Sequence, residues 1–526
     1  MSRRFGLGGV GRLLGGPLDG AVDRVVGAAF SAAMVLHRRR YWPVLTSAAE
    51  RPADVQRTVL AEILDGNATT TFGRAHGFDT IDGPAAYRRA VPVQDYESLR
   101  PLIEEQERTG RPTLTAEQPV LYAQTSGTSG SPKYLPLTES GIERAAGAQR
   151  LFAGMLHRRS DMFAGKIVGI GSPAVEGHLP GGTPFGSASG LVYEQMPSPV
   201  RRKYVLGPEI LAVEDHELRY LLMAAFCLAE REVSGVATAN PSTLLRLRRV
   251  MLDEWDAIVE AIDTGHLVGA DRLRDELGDD DRRAIVTAWS SRPARARELR
   301  DLWAAHGDDI GYRHLWPRLG AIATWTGGSA GFALSALRPH LAPGTKVAEL
   351  GYSASEMRAT IGIDPDTNRC LPLLFDNYYE FVPVEVRDGD PTAVGPDAFI
   401  GIDALEVDAE YYVYVTTRDG LYRYDMNDIV AVTGFHAATP TLRFVRKGRG
   451  VTNITGEKLT ESQLLTAVGR AADEAGVIVG FFVALADEAD HRYRLYLESP
   501  DGHPPPDGPA IGAAVDRLLA DGNIEY

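Results

Sequence analysis

"EVSGVATANPSTLLRLRRVMLDEWDAIVEAI" (residues 232–262) decides the fold class, because a strand-like run leads directly into a helix-like one. Residues 232–240 are mostly small and β-branched, which is typical of a buried strand. From Pro241 and Ser242 onward the apolar residues recur at helical spacing, and both residues suit the first turn of a helix. A strand that leads into a helix is the repeating unit of an α/β protein with largely parallel sheets.

Two later segments repeat this plan. "GAIATWTGGSAGFALSALRPHL" (320–341) predicts a strand, a glycine-rich turn and a helix, and "KVAELGYSASE" (346–356) predicts a buried strand that ends in small polar residues. Ligands in α/β proteins bind where the strands end and the loops begin. The sequence therefore predicts an α/β fold with mostly parallel sheets flanked by helices, and candidate binding loops at the strand ends.

The length and a change of character along the chain predict two domains. A chain of 526 residues exceeds what one hydrophobic core usually organises. β-rich runs lie between residues 405 and 445, and a basic stretch interleaved with glycine then reads as a linker, formed by Arg443, Arg446, Lys447 and Arg449. We predict a large N-terminal domain at 1–445 and a small, mobile C-terminal α+β domain at 446–526.

Charge and cysteine content exclude several classes of function. The chain has 55 Lys and Arg against 70 Asp and Glu, so its net charge is −15 at pH 7. This balance argues against a general affinity for nucleic acid. Cys227 and Cys370 are far apart and outside any C-x-x-C spacing, which argues against a disulfide framework or a cysteine zinc site. Such cysteine usage fits a reducing cytoplasm.

The N-terminal region contains an apolar stretch after a twin arginine, as an export signal would. However, Asp19, Asp23 and Arg24 fall inside that stretch, where a signal or membrane helix should be uncharged. Residues 18–38 are therefore predicted to form an amphipathic helix lying on the protein. No other part of the sequence is long and apolar enough to predict a membrane span.

The motif "TSGTSGSPK" (125–133) follows a strand-like run and precedes a helix-like one. Its glycines let backbone N–H groups approach a polyphosphate, its hydroxyls donate further hydrogen bonds, and Lys133 adds positive charge. The spacing is not that of a Walker loop, because no glycine directly precedes Lys133. On its own the motif fits either an ordinary strand-to-helix loop or a phosphate-binding loop.

Three further candidate sites lie downstream. At the end of "GYSASE" (351–356), Glu356 can hold Mg²⁺ on a triphosphate and Tyr352 offers a face for a base, but a helix N-terminal glutamate under a serine cap fits equally. Asp428 is predicted at the end of an aromatic strand, either as an acceptor for ribose hydroxyls or as a turn aspartate. Lys458 follows a glycine turn, and either stabilises charge in a transition state or is only solvated.

A competing motif points to another class of enzyme. Gly327, Ser329 and Gly331 satisfy G-x-S-x-G between a predicted strand and a predicted helix, which is the context of a hydrolase nucleophile. A catalytic triad also needs an acid and a histidine, and His436 and His491 are available later in the chain. A serine hydrolase that uses Ser329 is therefore an alternative.

The four motifs, taken together and in this order, resemble those of the acyl-adenylate-forming enzymes. More specifically, they resemble the auxin-responsive Gretchen Hagen family of acyl acid amido synthetases and its bacterial relatives. The resemblance spans most of the chain, between residues 120 and 461. It rests on the segments "TSGTSGSPK", "YSASE", "GLYRYDMND" and "GEKLTE", with "NYYEFVP", "VATANPSTLLRL" and "TWTGGSAG" as further family segments.

This resemblance implies the adenylate-forming architecture and a reaction in two steps. A carboxylic acid attacks the α-phosphate of Mg·ATP and releases pyrophosphate, and an amine, typically that of an amino acid, then displaces AMP to give an amide. The resemblance also implies that Lys458 is catalytic and that Glu356 lies at the Mg²⁺. The residues that it implies for nucleotide binding are Thr125, Ser126, Gly127, Thr128, Ser129, Tyr352, Ser355, Glu356 and Asp428.

The chain also departs from the family pattern. Asp425 and Asn427 stand where the family usually has arginine and glycine, and "SAS" replaces the more usual paired serines before Glu356. The family's small domain normally continues beyond the residues printed here, so the resemblance implies a shortened small domain. The alternatives that stay open are a ligase with a thiol acceptor, the serine hydrolase and a non-catalytic nucleotide-binding protein.

Overall fold

The computed structural model describes most of the chain, with short gaps. The described residues are 17–125, 132–194, 196, 198–328, 330–389, 394–448, 451–452, 459–487, 492–499 and 507–522. Within these ranges no helix is long and apolar enough to cross a bilayer.

Helices and strands alternate along the described residues. The helices are α1 Pro17–Glu50, α2 Pro52–Asn67, α3 Thr71–Ala75, α4 Pro84–Ala90, α5 Tyr96–Thr109, α6 Glu139–Arg159, α7 Ala188–Glu194, α8 Ser198–Arg201, α9 Pro208–Leu211, α10 His216–Ala229, α11 Ser242–Asp253, α12 Trp255–Thr264, α13 Leu273–Glu276, α14 Asp279–Ala288, α15 Pro293–His306, α16 Tyr312–Leu315, α17 Ala330–Leu337, α18 Val384–Gly389, α19 Glu461–Ala475 and α20 Gly508–Gly522. The strands are β1 Pro119–Thr125, β2 Lys133–Thr138, β3 Lys166–Ile170, β4 Gly177–His178, β5 Pro184–Gly186, β6 Val233–Thr238, β7 Ala321–Thr324, β8 Lys346–Glu349, β9 Thr360–Asp364, β10 Arg369–Pro372, β11 Tyr378–Pro383, β12 Glu410–Thr416, β13 Tyr424–His436, β14 Thr439–Lys447, β15 Val451–Thr452, β16 Leu459–Thr460, β17 Phe481–Asp487 and β18 Arg492–Glu498.

A wholly parallel sheet has the order β3-β6-β7-β8. The predicted strands of residues 232–240, 320–341 and 346–356 are its last three members, and every residue of β7 is buried. The predicted helix after β6 is confirmed as two helices, α11 and α12, that meet at Glu254. Because parallel strands end at one edge of their sheet, the loops that follow β6, β7 and β8 collect on one side of the molecule.

A second sheet is antiparallel, with the order β11-β12-β13-β14. It contains the β-rich runs that the sequence predicts between 405 and 445. Strand β14 continues to Lys447, two residues beyond the predicted domain boundary. Arg443, Arg446 and Lys447 are therefore strand residues, so the prediction that they form a linker is wrong, while Arg449 lies outside the described residues. Two of them have acidic partners across the sheet, because Arg446 pairs with Glu410 of β12 and Lys447 pairs with Asp428 of β13.

The third sheet, with the order β2-β1-β5-β4, contains both parallel and antiparallel pairs. Strands β1 and β2 form an antiparallel hairpin in which Thr125 is opposite Lys133. The motif at 125–133 therefore joins two strands, and the prediction that it joins a strand to a helix is wrong. Helix α6 begins only after β2, where the Thr138 side chain caps it by accepting from the Gly141 N–H at 3.0 Å.

The described residues after 459 form a small α+β region with its own apolar core. Helices α19 and α20 pack on the inner face of the β17–β18 hairpin through Val468, Val515 and neighbouring side chains. Phe482 of β17 contacts Phe332 of α17 edge-to-face, with ring centroids 5.4 Å apart. The division of the chain at residue 445 stays a prediction.

A buried ion network connects the two most family-like segments, "NYYEFVP" and "GLYRY". The Glu380 carboxylate accepts from Arg423 Nε at 2.9 Å and from Arg88 Nε at 2.8 Å, and Glu380 is 1% exposed. Arg423 also donates to the carbonyl oxygens of Arg88 and Val91 and lies 4.2 Å over the Phe399 ring. The three charges therefore join α4, β11 and the turn before β13, and removal of the Glu380 carboxylate would leave two arginines without their shared counter-charge.

We expect the substitution Glu380→Gln to lower the free energy of unfolding by about 3–5 kcal/mol, since two guanidinium groups would lose their carboxylate in a buried site. Urea unfolding followed by tryptophan fluorescence measures this loss. The control is Glu232→Gln, whose carboxylate forms exposed ion pairs with Arg231 and Arg318 and should contribute less than about 1 kcal/mol. Equal losses in the two variants would contradict a stabilising role for the buried network.

Candidate active site

Asp428 lies in the interior of β13, as its fifth residue, and is 1% exposed. The prediction that it lies at a strand end is therefore wrong. Lys447 is its cross-strand neighbour in β14, and Lys447 Nζ lies 2.5 Å from Asp428 Oδ1. The Tyr352 hydroxyl donates to Asp428 Oδ2 at 2.5 Å. A buried acceptor is thus held by a cation on one side and a phenol on the other.

Burial raises the pKa of Asp428, and the charge of Lys447 and the hydrogen bonds from Lys447 and Tyr352 partly offset this rise. Burial also raises the pKa of Tyr352 well above its usual value, and the neighbouring charge of Asp428 adds to the effect. The phenol consequently stays protonated and donates to the carboxylate. In this contact the Tyr352 hydroxyl is the hydrogen-bond donor and the Asp428 carboxylate is the acceptor.

Tyr352 is more enclosed than a base-stacking role requires. Its side chain is 8% exposed, and its ring stacks on Phe444 of β14 with centroids 5.7 Å apart. Its backbone N–H donates to Thr360 Oγ1 at 2.7 Å, which ties the loop to β9. The stacking role of Tyr352 stays a prediction, while its contact with Asp428 is what the structure shows.

Glu356 lies in a turn, because the Ala354 N–H donates to the Met357 carbonyl oxygen at 2.9 Å and no helix follows. The alternative of a helix N-terminal glutamate is therefore wrong, and Ser355 is an exposed residue of the same turn. Burial raises the pKa of Glu356, and the charge of Asp428 adds to the rise, while the charges of Lys447 and Lys133 oppose it. These mutual effects place Glu356 within electrostatic range of Asp428 and of both lysines.

The hairpin at 125–133 is described only at its two ends. Thr125 is the last residue of β1, and Lys133 opens β2 with its Nζ 5.7 Å from the centre of the Tyr96 ring. Ser126, Gly127, Thr128 and Ser129 lie outside the described residues, as does Lys458. Leu459, which follows Lys458, is buried in the core of the small region.

Two residues at the site were not predicted from the sequence as site residues. The sequence predicts Lys447 in a linker, and only the register of β13 with β14 shows that it faces Asp428. Glu349, the last residue of β8, accepts from the Thr326 N–H at 2.7 Å and from the Gly351 N–H at 2.9 Å. It thereby joins the loops that follow β7 and β8. The sequence feature that could have identified Glu349 is an acidic residue at the end of a predicted buried strand.

The loop after β7 also approaches the site. An added Cβ at Gly327 would lie 3.3 Å from the Phe444 carbonyl oxygen, so the backbone of this loop runs close to β14. Ser329, the candidate hydrolase nucleophile, lies outside the described residues, as does His491. His436 is the last residue of β13, at the opposite end of that strand from Asp428.

The two departures from the family pattern have local explanations. Asn427 has φ +51°, a left-handed conformation that glycine adopts freely and asparagine tolerates better than most residues. Asp425 forms an ion pair with Arg387 at 2.9 Å, and its Oδ1 accepts from the Asn427 N–H at 2.8 Å. Arg387 in turn lies 4.0 Å over the Tyr412 ring. The two residues that depart from the family pattern, Asp425 and Asn427, thus stabilise the start of β13 through contacts with each other and with Arg387.

The donor set suits a magnesium ion that is carried by a nucleotide. Among the described residues no group of three or more His, Cys, Asp and Glu side chains forms a metal site. Mg²⁺ in phosphate-transfer sites is commonly held by one or two carboxylates together with substrate phosphates and water. Glu356, a single partly buried carboxylate within electrostatic range of two lysines, fits that requirement.

Comparison with known proteins supplies the family. The model of the GH3 family N-terminal domain matches residues 44–347, which is more than half of the chain, and the model of the GH3 family central domain matches residues 371–447. The chain belongs to the GH3 family. This confirms the Gretchen Hagen family that the four sequence motifs predict.

Two similar proteins are both named indole-3-acetic acid-amido synthetases. The indole-3-acetic acid-amido synthetase GH3.4 of Arabidopsis thaliana is 26% identical over 475 residues, which cover 85% of this GH3 chain and 76% of that protein. The probable indole-3-acetic acid-amido synthetase GH3.2 of Oryza sativa subsp. japonica is 28% identical over 444 residues, covering 80% of this chain and 70% of that protein.

Solved structures confirm the predicted architecture. The AtGH3.15 acyl acid amido synthetase in complex with 2,4-DB has a TM-score of 0.79 at 21% identity, covering 92% of this chain and 85% of that chain. A 2-hydroxyisobutyryl-CoA ligase in the postadenylation state has a TM-score of 0.53 at 12% identity, covering 90% of this chain and 85% of that one. This GH3 chain therefore has the adenylate-forming fold.

We expect Tyr352→Phe to weaken ATP binding more at low pH than at high pH. The phenol lowers the pKa of Asp428, so its removal raises that pKa further. Because the acceptor form of Asp428 is lost as the pH falls through this pKa, the acidic limb of ATP affinity should move to higher pH. Calorimetric titration with ATP over about pH 5–8 measures the shift.

The matched control for this variant is Tyr312→Phe. Tyr312 also donates one buried hydrogen bond, to the Leu244 carbonyl oxygen at 2.7 Å, but lies in the core beside the parallel sheet. Its pH profile should equal that of the unsubstituted protein. An unchanged acidic limb in Tyr352→Phe would contradict the prediction that protonation of Asp428, which the phenol opposes, weakens ATP binding.

Proposed function

We propose that this GH3 protein is an ATP-dependent acid–amine ligase. It adenylates a carboxylic acid and then transfers the acyl group to an amine, in our proposal that of an amino acid, to form an amide. The observation that carries the proposal is the charged cluster of Glu356, Asp428 and Lys447 with Tyr352, formed where the β8 loop meets β13 and β14 in a GH3-family chain. The cluster offers carboxylate acceptors for a nucleotide and one cation, Lys447, for its phosphates.

In the first step a carboxylate oxygen of the acid attacks the α-phosphorus of ATP, and the bond from that phosphorus to pyrophosphate breaks. Both reactants are anions, so the site has to offset their repulsion in the transition state. Asp428 accepts from the ribose hydroxyls, and Tyr352 and Lys447 hold its carboxylate in place. Lys133 adds positive charge at the hairpin that follows Thr125.

Glu356 is the carboxylate that would hold Mg²⁺, and the bound ion would neutralise phosphate charge. The hairpin residues Ser126, Gly127, Thr128 and Ser129 are proposed to contact the phosphates together with Thr125 and Ser355. Hydroxyl and backbone N–H donors suit phosphate oxygens because they supply directed hydrogen bonds close to the negative charge. Lys458 is proposed as the catalytic lysine, which stabilises the charge that develops on the phosphate.

In the second step the amine nitrogen attacks the carbonyl carbon of the acyl-adenylate, and AMP leaves with the bonding electron pair. The similar proteins are named amido synthetases, which supports an amine as the acceptor. A thiol acceptor is the alternative, since a CoA ligase shares the fold. We infer a cytoplasmic location from two cysteines that are both buried and free.

Acid-dependent exchange between ATP and radioactive pyrophosphate tests the first step across aryl, indolyl, fatty and amino acids. We expect exchange only with an accepted acid, and a loss of about 10²–10³-fold in its rate in Lys458→Ala, as for the removal of one charge-stabilising group. Ser329→Ala should exchange like the unsubstituted protein. If Ser329→Ala abolished turnover while Lys458→Ala did not, the chain would be a hydrolase and the proposal would be wrong.

The acceptor is tested separately, by mass spectrometry of the products formed from an accepted acid and ATP. With amino acids and coenzyme A supplied together, we expect an amide and AMP, because the family's named members are amido synthetases. A thioester as the sole acyl product would assign the chain to the thiol ligases. Omission of each acceptor in turn is the control.

A further inference from the structure

The outward face of α1 is unusually apolar for a helix on a protein surface. The exposed positions of α1 recur every three to four residues and so form one face, made of Ala28, Ala29, Ala32, Val35, Leu36, Arg39, Arg40, Pro43, Val44 and Ser47. Leu36 is 68% exposed and Val44 is 50% exposed. The predicted amphipathic helix at 18–38 is therefore wrong in two respects, because α1 extends to Glu50 and its outer face carries apolar residues where polar ones are usual.

The inner face of α1 explains why the helix lies where it does. Phe30, Met34, Leu45 and Ala49 are buried, and Leu45 and Ala49 pack on α6 and the parallel sheet. This packing on the large domain accounts for one apolar face only. Among the described residues, the structure gives no packing partner on the outer face that would cover Leu36 and Val44.

The charge around this face is positive, although the whole chain carries −15. Arg39 and Arg40 belong to the face, and none of its described members between residues 28 and 47 is acidic, while Glu50 ends the helix. Among the described residues the structure gives no ion pair to Arg39, to Arg40 or to the exposed Arg158 at the end of α6. Basic side chains without carboxylate partners attract anions strongly in this otherwise acidic protein.

Two histidines that flank the face lie in the same positive field. Burial lowers the pKa of His37, and the charges of Arg150 and Arg40 lower it further. Burial and the charge of Lys203 lower the pKa of His157. Among the described residues no carboxylate contributes to either shift, so positive charge surrounds both histidines, one on α1 and one near the end of α6.

We propose that this face of α1, residues 28–47, docks on an anionic phospholipid surface. Leu36, Val44 and Val35 would enter the boundary between headgroups and acyl chains, and Arg39 and Arg40 would contact lipid phosphates. Apolar side chains together with arginines on one helix face are the combination that binds anionic membranes from the side, without spanning them. Nucleic acid would use the arginines but would leave the apolar side chains in water, so the bilayer is the better match.

The proposal is independent of the reaction proposed above, since α1 contributes none of the described residues of the charged cluster. It places the enzyme at a membrane surface, where carboxylic acids with apolar tails accumulate because their tails leave water. Docking would cover the apolar face and so remove the free-energy cost of exposing Leu36 and Val44 to water.

Co-sedimentation of the full chain with vesicles tests the proposal. We expect binding to vesicles of equal parts phosphatidylcholine and phosphatidylglycerol, little binding to phosphatidylcholine alone, and weaker binding as salt is added. Arg39→Ala with Arg40→Ala should lower the partition coefficient about 25-fold, at about five-fold per arginine. Leu36→Asp should abolish most of the binding. Val286→Asp, at an exposed valine of α14, is the matched control and should bind like the unsubstituted protein.

Unchanged circular dichroism and pyrophosphate exchange in the α1 variants would show that they remain folded. Four results would overturn the proposal: no binding to the anionic vesicles, equal binding by the α1 variants and the control, binding that appears only after residues 1–16 are deleted, or duplex DNA binding in place of vesicle binding. A dimer that Leu36→Asp dissociates, without vesicle binding, would assign the face to a second copy of the chain and overturn it as well.

Discussion

The carboxylate of Glu380 lies between the guanidinium groups of Arg88 and Arg423, away from water, and the position of β13 depends on that contact. Arg423 comes directly before β13 and has φ +43°, so the chain turns there in a conformation that most residues disfavour. A buried charge network with several hydrogen bonds stabilises such a turn, because a buried charge that loses its partner costs about 3–5 kcal/mol of folding free energy. Strand β13 begins directly after this turn, and its register with β14 places Lys447 opposite Asp428.

The candidate site forms where two kinds of sheet meet. The parallel sheet supplies loops at its carboxyl edge, and Glu349 ties two of these loops together through backbone N–H groups. The antiparallel sheet supplies Asp428 and Lys447 from neighbouring strands. Tyr352 joins the two parts, since it belongs to a loop of the first and donates to a carboxylate of the second. The site consequently forms only when both sheets are in place. A binding loop between one strand and one helix has no such requirement.

Much of the fold and the family could be predicted from the sequence, because the signals are local. Strand-to-helix units at 232–262 and 320–341 follow from hydrophobic spacing and glycine placement. Four short motifs in a fixed order identified the family, which the GH3 domain models confirm. The errors arose where the answer depends on pairing. The hairpin at 125–133, the interior position of Asp428 and the strand that contains Lys447 are all set by partners distant in the sequence.

The sequence by itself determined the α/β class, the family and the candidate residues Glu356, Asp428 and Lys458, since residue type and order carry that information. Only the tertiary structure decided that Asp428 is a buried acceptor held by Tyr352 and Lys447, and that Glu356 lies in a turn near both lysines. It also decided that α1 carries apolar side chains and arginines on its outer face. The physical reason is that burial, strand register and electrostatic interactions depend on which residues are close in space. A single sequence shows only which residues are close along the chain.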